Sequence, residues 1–284
     1  MNAPSRVGVL GGGRMGAGIA HAFLMAGSDV IVVEGRQDWA DAASERVGDS
    51  VRASIGRGAE ADEAESLGRL RVSVDTGDFA DRELVVEAIP EELELKLAAL
   101  AAVEAVLPGD AWLASNTSSL SIDGIAARLA RPARFAGLHF FNPVPASSLV
   151  EVVVGAATDP AYADTARGWV TALGKTAIVV RDNPGFASSR LGLALALEAM
   201  RMVEDGVASA SDIDTAMELG YRHPAGPLKT TDIVGLDVRL AIAEYLAATL
   251  GPRFEPPAIL RRLVAEGALG RKAGRGFFEY GDPS

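Results

Sequence analysis

The chain has no cysteine, which excludes disulfides, thiol catalysis and thiolate-bound metal and agrees with a reducing compartment. Histidine is almost as scarce, with three among 284 residues: His21, His139 and His223. A transition-metal site would have to rest on carboxylates, so none is expected. No apolar run approaches the roughly 18 residues of a membrane helix, and MNAPSR leads straight into the first strand without a signal-peptide pattern. No membrane partner is expected, and the expected location is cytoplasmic. Basic residues are the minority, 27 Lys and Arg against 38 Asp and Glu, for a formal charge of −11. That balance argues against nucleic acid as a partner, and an anionic ligand would need locally placed cations.

What is present starts with a hydrophobic fraction of 49%, enough for a core in each of about two domains. The organising stretch is RVGVLGGGRMGAGIAHAFLMA, from Arg6 to Ala26. Val7, Val9 and Leu10 read as a buried strand, and Met15, Ile19, Ala22, Phe23 and Ala26 recur at helical spacing. Gly11, Gly13 and Gly16 form a G-x-G-x-x-G turn between them. Such a turn allows a tight bend, close backbone approach to a pyrophosphate and close packing of helix on strand, with the phosphates at the helix N-terminus, where Arg14 and Met15 follow. The bland reading is a glycine-rich strand-to-helix turn. A second strand, Val30 to Val33, ends in Glu34, eighteen residues after Gly16. An acid there accepts hydrogen bonds from the adenosine ribose and favours NAD over NADP, although Arg36, two residues on, could serve a phosphate instead.

Strands are expected at Arg71 to Val74, Leu84 to Ile89, Ala111 to Ser115, Arg134 to Phe140, Leu149 to Val154 and Thr176 to Val180. Helices are expected at Gln37 to Arg57, Glu60 to Arg69, Glu91 to Leu107, Asp123 to Leu129 and Pro160 to Leu173. This alternation implies an α/β, Rossmann-like doubly wound parallel sheet over residues 1–183, followed by an all-α domain over 184–284 that begins after Asp182-Asn183-Pro184-Gly185. From Phe186 onward no strand signal recurs. Phe186 to Asp205 reads as a helix apolar on more than one face, which suggests a subunit interface. Further helices are expected at Ser211 to Leu219, Lys229 to Val234, Leu236 to Leu250 and Pro257 to Glu266.

A bound nicotinamide needs a partner that exchanges a proton while the ring exchanges a hydride. His139 is the candidate, at the end of a strand in LHFFNP, on the edge where ligands bind. Glu151, on the adjacent strand, would hold the imidazole tautomer and stabilise the imidazolium. Ser118, in the loop after another strand, would reach the substrate oxygen. The competing readings are a core histidine at 139 and an edge-strand charge at 151.

Gly11-x-Gly13-x-x-Gly16, Ser115-Asn116-Thr117-Ser118-Ser119, His139-Phe140-Phe141-Asn142-Pro143, His223-Pro224-x-Gly226-Pro227 and Lys272-x-Gly274-x-Gly276-Phe277 occur together and in this order. In this the chain resembles the L-3-hydroxyacyl-CoA dehydrogenases from about Arg6 to Tyr280, most nearly the bacterial 3-hydroxybutyryl-CoA dehydrogenase branch. The resemblance implies that His139 is the general base and acid, Glu151 its partner and Ser118 a substrate-orienting hydroxyl. It implies that Glu34 binds ribose and that Glu91, Lys96, Ser118, Asn142 and Lys272 surround NAD. It places Ser50 and Arg57 against the CoA portion of an acyl-CoA substrate, and it implies a homodimer through the C-terminal helices. Taken alone, Lys96 reads as a helix surface charge and Lys272 as a tail cation. One departure concerns the substrate: similar enzymes carry Asn before the Arg of the segment after Pro-Gly-Phe, whereas here Ser189 precedes Arg190. Two alternatives stand beside this reading: a dehydrogenase of a small non-CoA hydroxy acid, and a non-catalytic NAD-binding relative.

Overall fold

The computed structural model describes residues 2–281. The chain divides into two compact units, up to Asn183 and from Pro184 onward. The first holds β1 (Arg6–Leu10), α1 (Arg14–Met25), β2 (Asp29–Val33), α2 (Gln37–Gly56), α3 (Glu63–Gly68), β3 (Leu70–Ser73) and β4 (Leu84–Glu87). It continues with α4 (Leu93–Val106), β5 (Trp112–Ser115), α5 (Ile122–Ala126), β6 (Phe135–Phe140), β7 (Leu149–Val154), α6 (Ala161–Ala172) and β8 (Thr176–Arg181). The second holds α7 (Ser188–Glu204), α8 (Ala210–Tyr221), α9 (Pro227–Val234), α10 (Leu236–Leu250) and α11 (Ala258–Ala265).

Eight strands form one sheet in the order β3-β2-β1-β4-β5-β6-β7-β8. The order reverses from β1 to β4, the switch point beyond which ligands bind in such sheets. Valines and leucines with no exposed surface line β1, β4 and β7, because a sheet covered on both faces buries both sides of its strands.

The sheet corrects the expectation of parallel strands throughout. β6 and β7 run antiparallel, while β7 and β8 are parallel to each other. The connection from Phe140 to Leu149 is too short to carry a crossover helix, so the chain must turn back on itself. This reversal puts His139 directly opposite Glu151.

Other boundaries move for local reasons. The helix expected from Glu60 starts at Glu63, because the Asp62 side chain caps it by accepting from the Glu65 N–H at 2.7 Å. The helix expected from Phe186 starts at Ser188, because Gly185 and Phe186 take φ of 75° and 47°, outside helical space. Of the apolar surface of α7, Leu193, Leu197 and Met200 are buried, while Leu191 is 70% exposed. Two isolated bridges, Gly270 with Arg275 and Arg275 with Glu279, interrupt the strand-free expectation for the second unit.

Two buried aspartates explain the glycine motifs of that unit. Asp214 accepts from the Leu228 and Lys229 N–H groups at the start of α9, and a β-carbon at Gly226 would collide with it. Asp232 likewise accepts from Phe277 and Phe278, and a β-carbon at Gly276 would overlap its carboxylate. Burial raises the pKa of both carboxyls, while those backbone N–H groups oppose the shift.

Candidate active site

The glycine turn is built as its spacing requires. Gly11 adopts φ +91°, and a β-carbon at Gly16 would fall 1.7 Å from the Gly11 carbonyl oxygen. A β-carbon at Gly13, by contrast, would meet nothing within 4 Å. Gly13 caps α1 without a side-chain hydrogen bond, as suits a helix N-terminus whose first N–H groups are to receive a phosphate. Arg14 and Met15 form the first turn. Glu34, at the end of β2, reaches back to this turn, its Oε1 accepting from the Gly12 N–H at 2.6 Å. Arg36, the alternative phosphate ligand, instead forms a two-point pair with Asp38 and stacks on Trp39.

Beyond the ends of β4, β5 and β6 lies a cavity of about 340 Å³ in the first unit, with His139, Ser118, Asn142, Glu91, Lys96 and Met15 among its lining. His139 is 6% exposed, and its Nδ1 lies 2.7 Å from Oε2 of Glu151, which has no exposed surface. β7 is flanked by β6 and β8, so Glu151 is no edge charge. The side-chain Oδ1 of Asn116 accepts from the Phe140 N–H at 2.8 Å, tying the loop after β5 to the strand that carries His139.

Lys96 is no surface charge either. It is 1% exposed, and its ammonium pairs with Glu87 at 2.5 Å and Glu91 at 3.2 Å and donates to the Ile89 carbonyl. Glu87 also accepts from Ser115 at 2.5 Å. Glu91 accepts from Thr117 Oγ1 and from the Ser118 and Ser119 N–H groups, so this charge network holds the loop presenting Ser118. Burial alone would raise the pKa of Glu91, but the Lys96 charge and the Thr117 and Ser119 hydroxyls outweigh it and keep the carboxyl below its ordinary value.

The other expected residues lie elsewhere. Ser50 is on α2, and Arg57 caps its C-terminus two turns later on the same face. Between them Ser54 accepts from Arg57 at 3.2 Å and lies 2.9 Å from His21 Nε2. Ser189 is the second residue of α7, and Lys272 pairs with Asp237 at 2.7 Å, both in the second unit. Sequence reasoning missed the roles of Glu87, Asn116 and Ser54. A lone acid in the apolar run LVVEAI was the available signal for the first.

A family model described as 3-hydroxyacyl-CoA dehydrogenase, NAD binding domain, matches residues 6–183, and the C-terminal domain model of the same family matches 185–280. The chain belongs to the 3-hydroxyacyl-CoA dehydrogenase family. Members of this family carry an NAD-binding unit of the kind described above, and NAD is the cofactor that the glycine turn and Glu34 fit. The chain is 40% identical to a 3-hydroxybutyryl-CoA dehydrogenase of Mycobacterium tuberculosis, covering 98% of this chain and 99% of that one. It is 38% identical to one from Bradyrhizobium diazoefficiens, covering 97% and 95%. The crystal structure of (S)-3-hydroxybutyryl-CoA dehydrogenase PaaH1 from Ralstonia eutropha superposes with a TM-score of 0.94 at 36% identity, over 99% of this chain and all of that one. These matches make this family member an NAD-dependent oxidoreductase.

Proposed function

We propose that the protein interconverts (3S)-3-hydroxyacyl-CoA and 3-oxoacyl-CoA, acting on short acyl chains such as 3-hydroxybutyryl. The observation that carries this reading is the His139–Glu151 pair, 2.7 Å apart and buried, bordering the cavity that Ser118 and Asn142 also line. Bound NAD supplies the hydride acceptor. With Nδ1 engaged by Glu151, His139 takes the 3-hydroxyl proton through Nε2. The Glu151 carboxylate stabilises the imidazolium so formed and fixes the ring. Ser118 hydrogen-bonds the substrate oxygen, oriented by the loop that Glu91 and Lys96 hold.

Gly11, Gly13, Arg14, Met15 and Gly16 would hold the pyrophosphate, Glu34 the adenosine ribose, and Glu91, Lys96, Ser118, Asn142 and Lys272 the remainder of the cofactor. Ser50 and Arg57 would contact the CoA portion, where a hydroxyl and a cation on one helix face suit phosphates. Ser189 would contact the acyl group. A homodimer through the second unit is supported by apolar side chains left exposed there, among them Leu191, Leu219, Tyr221 and Ile233. Among the described residues no helix is long and apolar enough to cross a membrane, and we place the enzyme in the cytoplasm.

Initial rates of acetoacetyl-CoA reduction by NADH and NADPH, set against free 3-oxo acids, test the reading. The CoA ester with NADH is expected to be preferred. Turnover of the free acids alone, or tight NADH binding without turnover, would overturn it.

A further inference from the structure

Arg36 is left without a task once Glu34 is assigned the adenosine ribose, yet its side chain is held at several points. Nε and Nη2 donate to the two carboxylate oxygens of Asp38 at 2.6 and 2.5 Å. The guanidinium carbon lies 4.7 Å from the centre of the Trp39 ring, within the range of a cation stacked on indole. The Trp39 ring in turn lies beside the backbone that follows Glu34, since a β-carbon on Gly35 would fall 3.8 Å from it. A surface arginine with one exposed ion pair gains little and keeps most of its rotamer freedom. Two edge contacts and a stacked face remove that freedom here.

Core packing does not explain this order. Trp39 is 51% exposed and the Arg36 side chain 60%, so the stack stands in solvent just beyond the end of β2. Its place beside the cofactor turn does explain it. Glu34, two residues before Arg36, rests its Oε1 on the Gly12 N–H at 2.6 Å, where the reading above puts the ribose hydroxyls. Adenine is bonded directly to that ribose, so the base comes to rest within one sugar ring of Glu34. A planar cation with one face on an indole has a second face for another flat π-system, and nucleobases stack on arginine planes as they do on aromatic rings.

The edge contacts bear on cofactor choice. An arginine close to the ribose-binding acid is the group that accommodates a 2′-phosphate in sites that take NADP. Here the forked edge that would grip a phosphate is turned onto Asp38. The hydrogen bonds from Arg36 hold the Asp38 carboxyl below the ordinary carboxylate range, so it stays ionised at neutral pH. A 2′-phosphate would have to displace one carboxylate and approach a second, Glu34.

We propose that Arg36 is the adenine-stacking group of the cofactor site, backed by Trp39, and that Asp38 occupies its donor edge so that NAD is taken and a 2′-phosphate refused. The proposal rests on the placement of the ribose at Glu34. Every side chain it uses belongs to the first unit, and it holds whichever acyl group the enzyme turns over.

The test titrates NADH, NADPH and ADP-ribose into the full-length enzyme without substrate, in the wild type, Arg36→Ala, Arg36→Lys, Asp38→Asn and the Arg36→Ala/Asp38→Asn double variant. Arg36→Ala is expected to weaken NADH and ADP-ribose alike by about fivefold or more, the scale of one base-stacking contact. Arg36→Lys should recover little of that loss, because an ammonium keeps the charge without the plane. Asp38→Asn should improve NADPH relative to NADH by about tenfold, as the released fork grips the 2′-phosphate. The double variant should lose that gain. These are exposed positions, where substitutions move stability little.

Unchanged ADP-ribose affinity in Arg36→Ala overturns the stacking role, and so does full affinity in Arg36→Lys. Wild-type affinities for NADH and NADPH within a few-fold of each other overturn the selection role. So does an NADPH gain that survives the loss of Arg36, which would place the phosphate on Arg46, the cation that donates to the Gly12 carbonyl at 3.2 Å. No acyl substrate enters these titrations, so their failure is distinct from a failure of the acyl-CoA reading, which turnover alone decides.

Discussion

His139 and Glu151, twelve residues apart in sequence, stand opposite each other across the antiparallel pair β6–β7, with Nδ1 and Oε2 2.7 Å apart. The strand register therefore fixes the pair, and Asn116 anchors the neighbouring Phe140 N–H from the loop after β5. An imidazole held by backbone pairing loses little orientation to thermal motion, as the proposed acid and base requires.

Replacing Glu151 by Gln keeps the shape of the pair and removes its charge. Turnover of acetoacetyl-CoA with NADH is expected to fall roughly 10²- to 10⁴-fold, in line with amide replacement of the orienting acid in a catalytic triad. NADH affinity, read by fluorescence titration, should stay within a few-fold. Turnover close to wild type would remove Glu151 from the mechanism.

The Glu87–Lys96 pair makes a stability prediction. Lys96→Met leaves the fully buried Glu87 carboxylate without its cation, keeping only neutral donors such as Ser115. Removal of one partner of a buried ion pair typically costs about 3–5 kcal/mol. Adding Glu87→Gln should restore part of that loss. Urea unfolding of the single and double variants checks both expectations, and a loss below about 1 kcal/mol in Lys96→Met would contradict the first.

His21 makes the fold sensitive to acid. Burial, with the nearby Lys175 and Arg57 charges adding to it, lowers its pKa from 6.5 to about 4. The unfolded chain protonates this ring near 6.5, while the folded chain holds it neutral until about 4. Stability is therefore undiminished above about pH 6.5 and is lost progressively as pH falls toward 4. In a series of urea unfolding curves, the stability of the wild type minus that of His21→Gln should be flat above pH 7 and decline across that window. A constant difference from pH 7 to pH 4 would contradict the assignment.

The sequence makes most of the sheet legible, because the β-branched runs and glycine turns that specify it are local signals. The direction of β7 was hidden, since a strand's composition does not reveal which way it runs; only the short connection from Phe140 to Leu149 excludes a parallel crossover. His139 and Glu151 could be named from their strands, but their pairing follows from that reversal. Lys96 illustrates the opposite limit. On α4 it is one charge among several, and its burial against Glu87 depends on the sheet edge beneath it, which no helical pattern encodes.

The most direct test is the rate of a single turnover of acetoacetyl-CoA by the NADH-loaded enzyme in wild type and His139→Gln. Loss of the proton-exchanging imidazole is expected to slow that step roughly 10²- to 10⁴-fold, with NADH affinity changed no more than a few-fold. A single-turnover rate within a few-fold of wild type would contradict the assignment of His139 as the acid and base.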